Sequence, residues 1–123
     1  DFLFPPTTRT RGLHLAVKMS TRERVVQAWA HQRMLDVAFS GNGYTGVLVV
    51  FSETKLDSRS HEVVEICVPD QWLAYQSLLA PMKRIFYFDA PQRYEVLAAR
   101  YPDLIALPSF SSFRSEMATL LAR

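Results

Sequence analysis

The run Gly46-Val-Leu-Val-Val-Phe51 constrains this chain more than any other stretch. Its β-branched and aromatic side chains leave no polar face. A strand of that kind belongs in the middle of a sheet covered on both sides. Its length suits a strand and falls far short of the roughly 20 apolar residues of a membrane span, which no segment of the chain reaches. The chain has 123 residues, of which 49% are hydrophobic and 21% charged, so one domain with an adequate core is expected. The single cysteine, Cys67, excludes an internal disulfide and a dithiol redox centre within one chain.

Helical and extended segments alternate around the central run. Ser20-Thr-Arg-Glu23 has the spacing of a capping box, and Val26, Ala30, Met34 and Val37, with Trp29 beside them, predict a helix ending before Gly41. Ser40-Gly-Asn-Gly43 reads as a turn. Residues 61–68 fit either a strand or the front of a helix, closed by Pro69. Asp70 to Ala80 predicts a helix with Trp72, Tyr75 and Leu79 on one face. Lys83–Phe88 predicts a buried strand, Gln92–Tyr101 a helix striped by Tyr94, Leu97, Ala98 and Tyr101, and Leu104–Leu107 a short strand. A last helix presents Phe113, Met117, Leu120 and Leu121. Strands alternating with helices point to an α/β sandwich with helices on both faces of the sheet.

Residues 1–18 contain Pro5-Pro6, three threonines and Gly12, and are read as an extended arm, with residues 19–123 as the single domain. The net charge of +2 is unevenly spread. Residues 1–33 hold six basic side chains against two acidic ones, and the rest of the chain holds eight against ten. Phe2, Phe4, Arg9 and Arg11 are the expected partner-binding residues of this apolar-tipped, basic arm. Contact with a phosphate backbone through Arg9 and Arg11 would position the chain without reading sequence. The chain begins at Asp1, as removal of an organellar transit peptide would leave it, and a start at Met19 with translated upstream sequence would look the same; a mitochondrial matrix setting is expected, otherwise a cytoplasmic one.

Val47-Leu-Val-Val-Phe-Ser52 resembles the central strand of the thioredoxin-like superfamily. Phe86-Tyr-Phe-Asp89, Tyr94-Glu-Val-Leu-Ala-Ala-Arg-Tyr101 and Ile105-Ala-Leu-Pro-Ser-Phe110 resemble its later half. The resemblance implies a thioredoxin-like sandwich, with a central mixed sheet, helices on both faces, and Pro108 as a cis-proline. It also locates the family's redox loop at Glu53–Arg59, where this chain has no cysteine. Thiol exchange needs an attacking thiolate and a resolving thiol, and neither is present. The family's final hairpin strand looks missing, so a partner or the arm would have to cover the sheet edge. The expected function is therefore a redox-inactive accessory subunit of a larger, organellar protein assembly, not an enzyme and without a cofactor.

A second resemblance comes from another class. Asp57, Glu65 and the Gln71-x-x-x-Tyr75 spacing resemble the PD-(D/E)xK nucleases, in which two carboxylates hold a magnesium ion that activates water. The Lys expected two residues after the Glu is Cys67 here. The alternative function is accordingly a divergent nuclease-like domain acting on nucleic acid, with Asp57 and Glu65 as metal or catalytic residues; a stand-alone protein-binding domain is the third. His61, Glu62 and Glu65 read as a solvated face, and His14 and His31 have no ligand spacing, so no metal site is expected. Asp89, at a predicted strand end, reads as a cap for the following helix, with a functional carboxylate as its other role. Ser109, Ser111 and Ser112 have no histidine nearby, and no Gly-rich phosphate loop precedes a helix.

Overall fold

A computed structural model of the protein describes residues 1–21, 23–40, 43–52, 57–61 and 69–122. The central strand is the expected one. β3 (Tyr44–Val50) is buried from Thr45 to its end. It lies between β2 (Gly12–Lys18) and β4 (Met82–Tyr87), parallel to both. β1 (Phe2–Phe4) runs antiparallel to β2 at the margin, giving the sheet order β1-β2-β3-β4.

The segment read as an arm is thus part of the sheet. Leu13, Leu15 and Val17 alternate with His14, Ala16 and Lys18, the period of a strand. Seven backbone positions of β2 pair with β3, and Ala16 is fully buried. The Pro-Pro and threonine content of residues 5–10 hid this pattern, because it belongs only to the loop between β1 and β2.

Four helices cover the two faces of the mixed sheet. On one face lie α1 (Val26–Ala38), α2 (Pro69–Ala74) and α3 (Gln92–Arg100). They contribute Ala28, Trp29, Trp72, Tyr94 and Leu97 to a core with Ala16, Leu48, Val50, Ile85 and Tyr87. Trp72 stacks on Tyr94 at 4.2 Å between ring centres, with Trp29 on its other flank at 6.0 Å. On the other face, α4 (Phe113–Leu121) sets Met117 against Leu13, Val47, Val49 and Phe86.

Two local expectations are revised. α1 does not start at Ser20: a 3-10 turn, Glu23–Val25, leads into it, its N-terminus at Val25 takes no side-chain bond, and the Glu23 side chain of the expected capping box lies outside the described residues. Nor does it bury the expected stripe. Ala28, Trp29 and Gln32 face inward, while Met34 and Val37 are 69% and 68% exposed. The cause is Gln32, a polar residue with buried partners, which turns the helix away from its most apolar side.

α2 continues into a π-helical turn, Tyr75–Leu79, whose wider register carries Gln76 inward. The Gln76 Oε1 accepts from Trp29 Nε1 at 2.6 Å and from the Met82 backbone N–H at 2.8 Å. Its Nε2 donates to the Met82 and Leu104 carbonyls at 3.0 and 2.7 Å. One side chain thereby ties α1, β4 and the segment after α3 together.

The expected strand at 104–107 is an irregular extended segment along the outer edge of β4. The Ile85 and Tyr87 N–H groups donate to the Ala106 and Pro108 carbonyls, and Ser109 bridges Tyr87 in parallel. The peptide bond before Pro108 is trans, since the described residues contain no cis bond, so the cis-proline expectation fails. Among the described residues, no helix is long and apolar enough to cross a membrane.

Candidate active site

Because β2, β3 and β4 are parallel, their carboxyl ends emerge together, at the edge where open α/β sheets present ligands. Phe51, Ser52 and Phe88 extend the pairing by one step: their N–H groups donate to the Lys18, Met19 and Val50 carbonyls at 3.0–3.3 Å. Beyond β4 the chain turns into α3, and the 105–109 segment runs alongside. Between them lies a cleft of about 220 Å³ lined by Tyr87, Phe88, Asp89, Glu95, Pro108 and Ser109, among others.

Asp89 and Glu95 give this cleft two exposed carboxylates. Asp89 does not serve as the helix cap that its position suggested. The N-terminus of α3 lies at Pro91 and takes no side-chain bond, and Tyr94 and Glu95 donate their N–H groups to the Pro91 carbonyl. Glu95 escaped the sequence reading because it faces away from the buried Tyr94–Leu97 stripe; its one signal was its place in the first turn after Asp89. Pro108 is a wall of the cleft, and the Ser109 hydroxyl accepts from the Ser111 N–H at 3.3 Å. Beside the cleft, Phe51 and Phe88 expose about half their surface each, tilted against one another at 5.0 Å, with Phe110 stacked on Phe88 at 4.1 Å.

Asp57 heads a tight turn. Its Oδ1 accepts from the Arg59 and Ser60 N–H groups at 2.8 and 2.9 Å, and its carbonyl accepts from the His61 N–H. The Ser60 bond first, then that of Arg59, holds the Asp57 carboxyl below its ordinary value, so it is a carboxylate at neutral pH. Glu65 and Cys67 lie outside the described residues.

Phe2 and Phe4 stand on the marginal strand, 55% and 51% exposed. Arg9 is exposed in the following loop, and the Arg11 N–H is bound to the Leu121 carbonyl. Arg11 also lines a groove of about 340 Å³ with Arg33, Asp36, Tyr44 and Lys83, at the amino ends of the parallel strands. Arg11, read from the sequence as part of an arm, is therefore brought beside Arg33 and Lys83 by the fold.

The fold also brings together residues whose sequence spacing gave no ligand pattern. Asp1, His14 and His31, widely separated in sequence, bring one ligand atom each within 4.8 Å of one another. β1 pairs with β2 and so carries Asp1 to the face of His14, and α1 lays His31 over both.

The chain resembles a crystal structure of the Type IIP restriction endonuclease Kpn2I over 95% of its own length, with a TM-score of 0.82 and 30% identity. The fold is similar to that of a restriction endonuclease. The chain spans 38% of that endonuclease's length. No protein-family model and no curated protein matches it.

This likeness overturns the thioredoxin-like assignment, and with it the redox-inactive accessory subunit of an organellar assembly and the exclusion of enzymatic activity. The misleading text was generic. A buried apolar strand ending in Asp, an amphipathic helix and an Ile-x-x-Pro segment recur wherever parallel strands alternate with helices.

Proposed function

We propose that this chain is the α/β core of a divalent-metal-dependent nuclease acting on nucleic acid. The supporting observation is its likeness to a restriction endonuclease across nearly its whole length, at 30% identity. The donor chemistry fits a hard cation, since the cleft at the carboxyl ends of the strands offers the oxygens of Asp89 and Glu95, and Asp57 is an anion at neutral pH. A magnesium ion bound by such carboxylates supplies a polarised phosphoryl oxygen and a water of lowered pKa.

The chain's own residues would do the rest. Asp89 and Glu95 would hold the ion. Phe51 and Phe88 offer ring faces to a base, a contact indifferent to sequence. Arg11, Arg33 and Lys83 neutralise phosphates about 20 Å away, the length of a seven-residue strand at roughly 3.3 Å per residue. Cys67 stands where the second resemblance expects a lysine, so no positive charge reaches the scissile phosphate from that position.

Nicking of supercoiled plasmid by the purified protein tests this reading. Cleavage is expected with magnesium and not with EDTA. Asp89→Asn should lower it by roughly 100-fold or more, as loss of a principal charge-stabilising group does. Asp57→Asn and Glu65→Gln, assayed beside it, decide whether the acidic set belongs to the cleft or to the sequence motif. If none of the three substitutions changes the rate, or the protein neither binds nor cuts DNA, the proposal fails.

A further inference from the structure

The Asp1–His14–His31 cluster lies on the α1 face of the sheet, apart from the carboxyl-end cleft, and carries its own argument. His14 sits in the middle of β2 with 1% of its surface exposed. Its Nδ1 is 3.0 Å from Gln32 Oε1. The orientation of Gln32 is fixed, because its Nε2 donates to Asp36 Oδ1 at 2.8 Å and to the Tyr44 carbonyl at 3.1 Å, and neither partner can donate in return. Gln32 Oε1 is therefore an acceptor toward the imidazole, and His14 Nδ1 carries a proton.

That bond decides what the other nitrogen does. With Nδ1 committed to Gln32, Nε2 is the ring position left for a ligand. His14 Nε2 is buried and has no hydrogen-bond partner. It lies 3.6 Å from Asp1 Oδ2. A buried nitrogen with no hydrogen-bond partner beside a carboxylate oxygen is unfavourable unless a proton or a metal ion lies between them.

The neighbours complete a ligand set. His31 Nδ1 is 2.6 Å from the same Asp1 oxygen, and Lys18 Nζ holds the other oxygen, Oδ1, at 3.2 Å. Gln32 and Lys18 stand where outer-shell groups orient a metal's histidine and carboxylate ligands. Gly46, paired with His14 across the strands, makes room for Gln32, since a Cβ there would stand 2.6 Å from its Oε1.

We propose that Asp1 Oδ2, His14 Nε2 and His31 Nδ1 bind a first-row transition-metal ion, Zn²⁺ by default. Two imidazoles and one carboxylate select zinc-like ions over magnesium or calcium, which take oxygen ligands. Tetrahedral bonds of about 2.0–2.2 Å place ligand atoms about 3.3 Å apart, within side-chain adjustment of the observed separations. Three protein ligands leave a fourth position open to the adjoining pocket of about 240 Å³, walled by Leu3, Met34 and Leu35. The site does not depend on the nuclease reading.

The test is a Co²⁺ titration of the EDTA-stripped protein, followed by visible absorption, with Zn²⁺ as competitor. One equivalent of Co²⁺ should develop the intense bands of a four-coordinate ion, and one equivalent of Zn²⁺ should abolish them. His31→Ala and Asp1→Asn, both at accessible positions, should each weaken binding at least tenfold while melting like the parent without metal. His61→Ala, outside the cluster, should bind like the parent. Absence of the bands in the parent overturns the proposal, as does unchanged affinity in His31→Ala or an equal loss in His61→Ala.

Discussion

Two glutamines organise the interior, Gln76 through four hydrogen bonds and Gln32 through three. Gln76 serves three segments at once, and Gln32 sets the tautomer of a buried histidine. Removing the first should be costly. Gln76→Leu strands the Trp29 indole N–H, the Met82 N–H and two carbonyls in a dry core, at about 1–3 kcal/mol for each group that finds no substitute. Chemical denaturation should show a loss of about 3 kcal/mol or more, and a loss below about 1 kcal/mol would mean water reaches the site. Neither glutamine was legible in the sequence. A polar residue within a helical pattern reads as solvated, and only the partners brought by distant segments reverse that reading. The same blindness hid Asp1, His14 and His31, whose proximity is a product of strand pairing and has no linear signature.

At the scale of elements, legibility followed apolar periodicity. β3, β4, α3 and α4 lie close to where their patterns put them, because each buries a stripe that its own sequence displays. β2 was missed although Leu13, Leu15 and Val17 alternate, since the prolines and threonines before it coloured the whole segment. α1 was found but turned the wrong way. Its outward Met34 and Val37 make a direct check on that rotation. Met34→Glu with Val37→Glu should change stability by no more than about 0.5 kcal/mol, as exposed substitutions do. If these residues were core, the pair would cost several times that amount, and thermal melts separate the two outcomes.

For the molecule as a whole, the position of the amino-terminal segment matters most. A detachable arm could be cut away without consequence. A strand hydrogen-bonded to β3 along its length cannot. Deleting residues 1–18 should abolish cooperative unfolding, because it strips one edge of the central strand and removes Leu13 and Ala16 from the two cores. Deleting residues 1–8 should leave a folded protein, since β1 is exposed throughout. Circular dichroism through a thermal ramp distinguishes these results, and a folded product from the longer deletion would contradict the pairing. The architecture of covered parallel strands could be inferred from residues 46–51 alone. Its resemblance class could not, because many folds share such strands, and short matches to one of them carry little discrimination.

The strand order along the sheet is also the order along the chain. Each new strand therefore joins the free edge left by its predecessor, and none has to be threaded between two already paired. A ribosome delivering this polypeptide from its amino end would release the pieces in the sequence of their assembly, so the sheet can widen while translation is still under way.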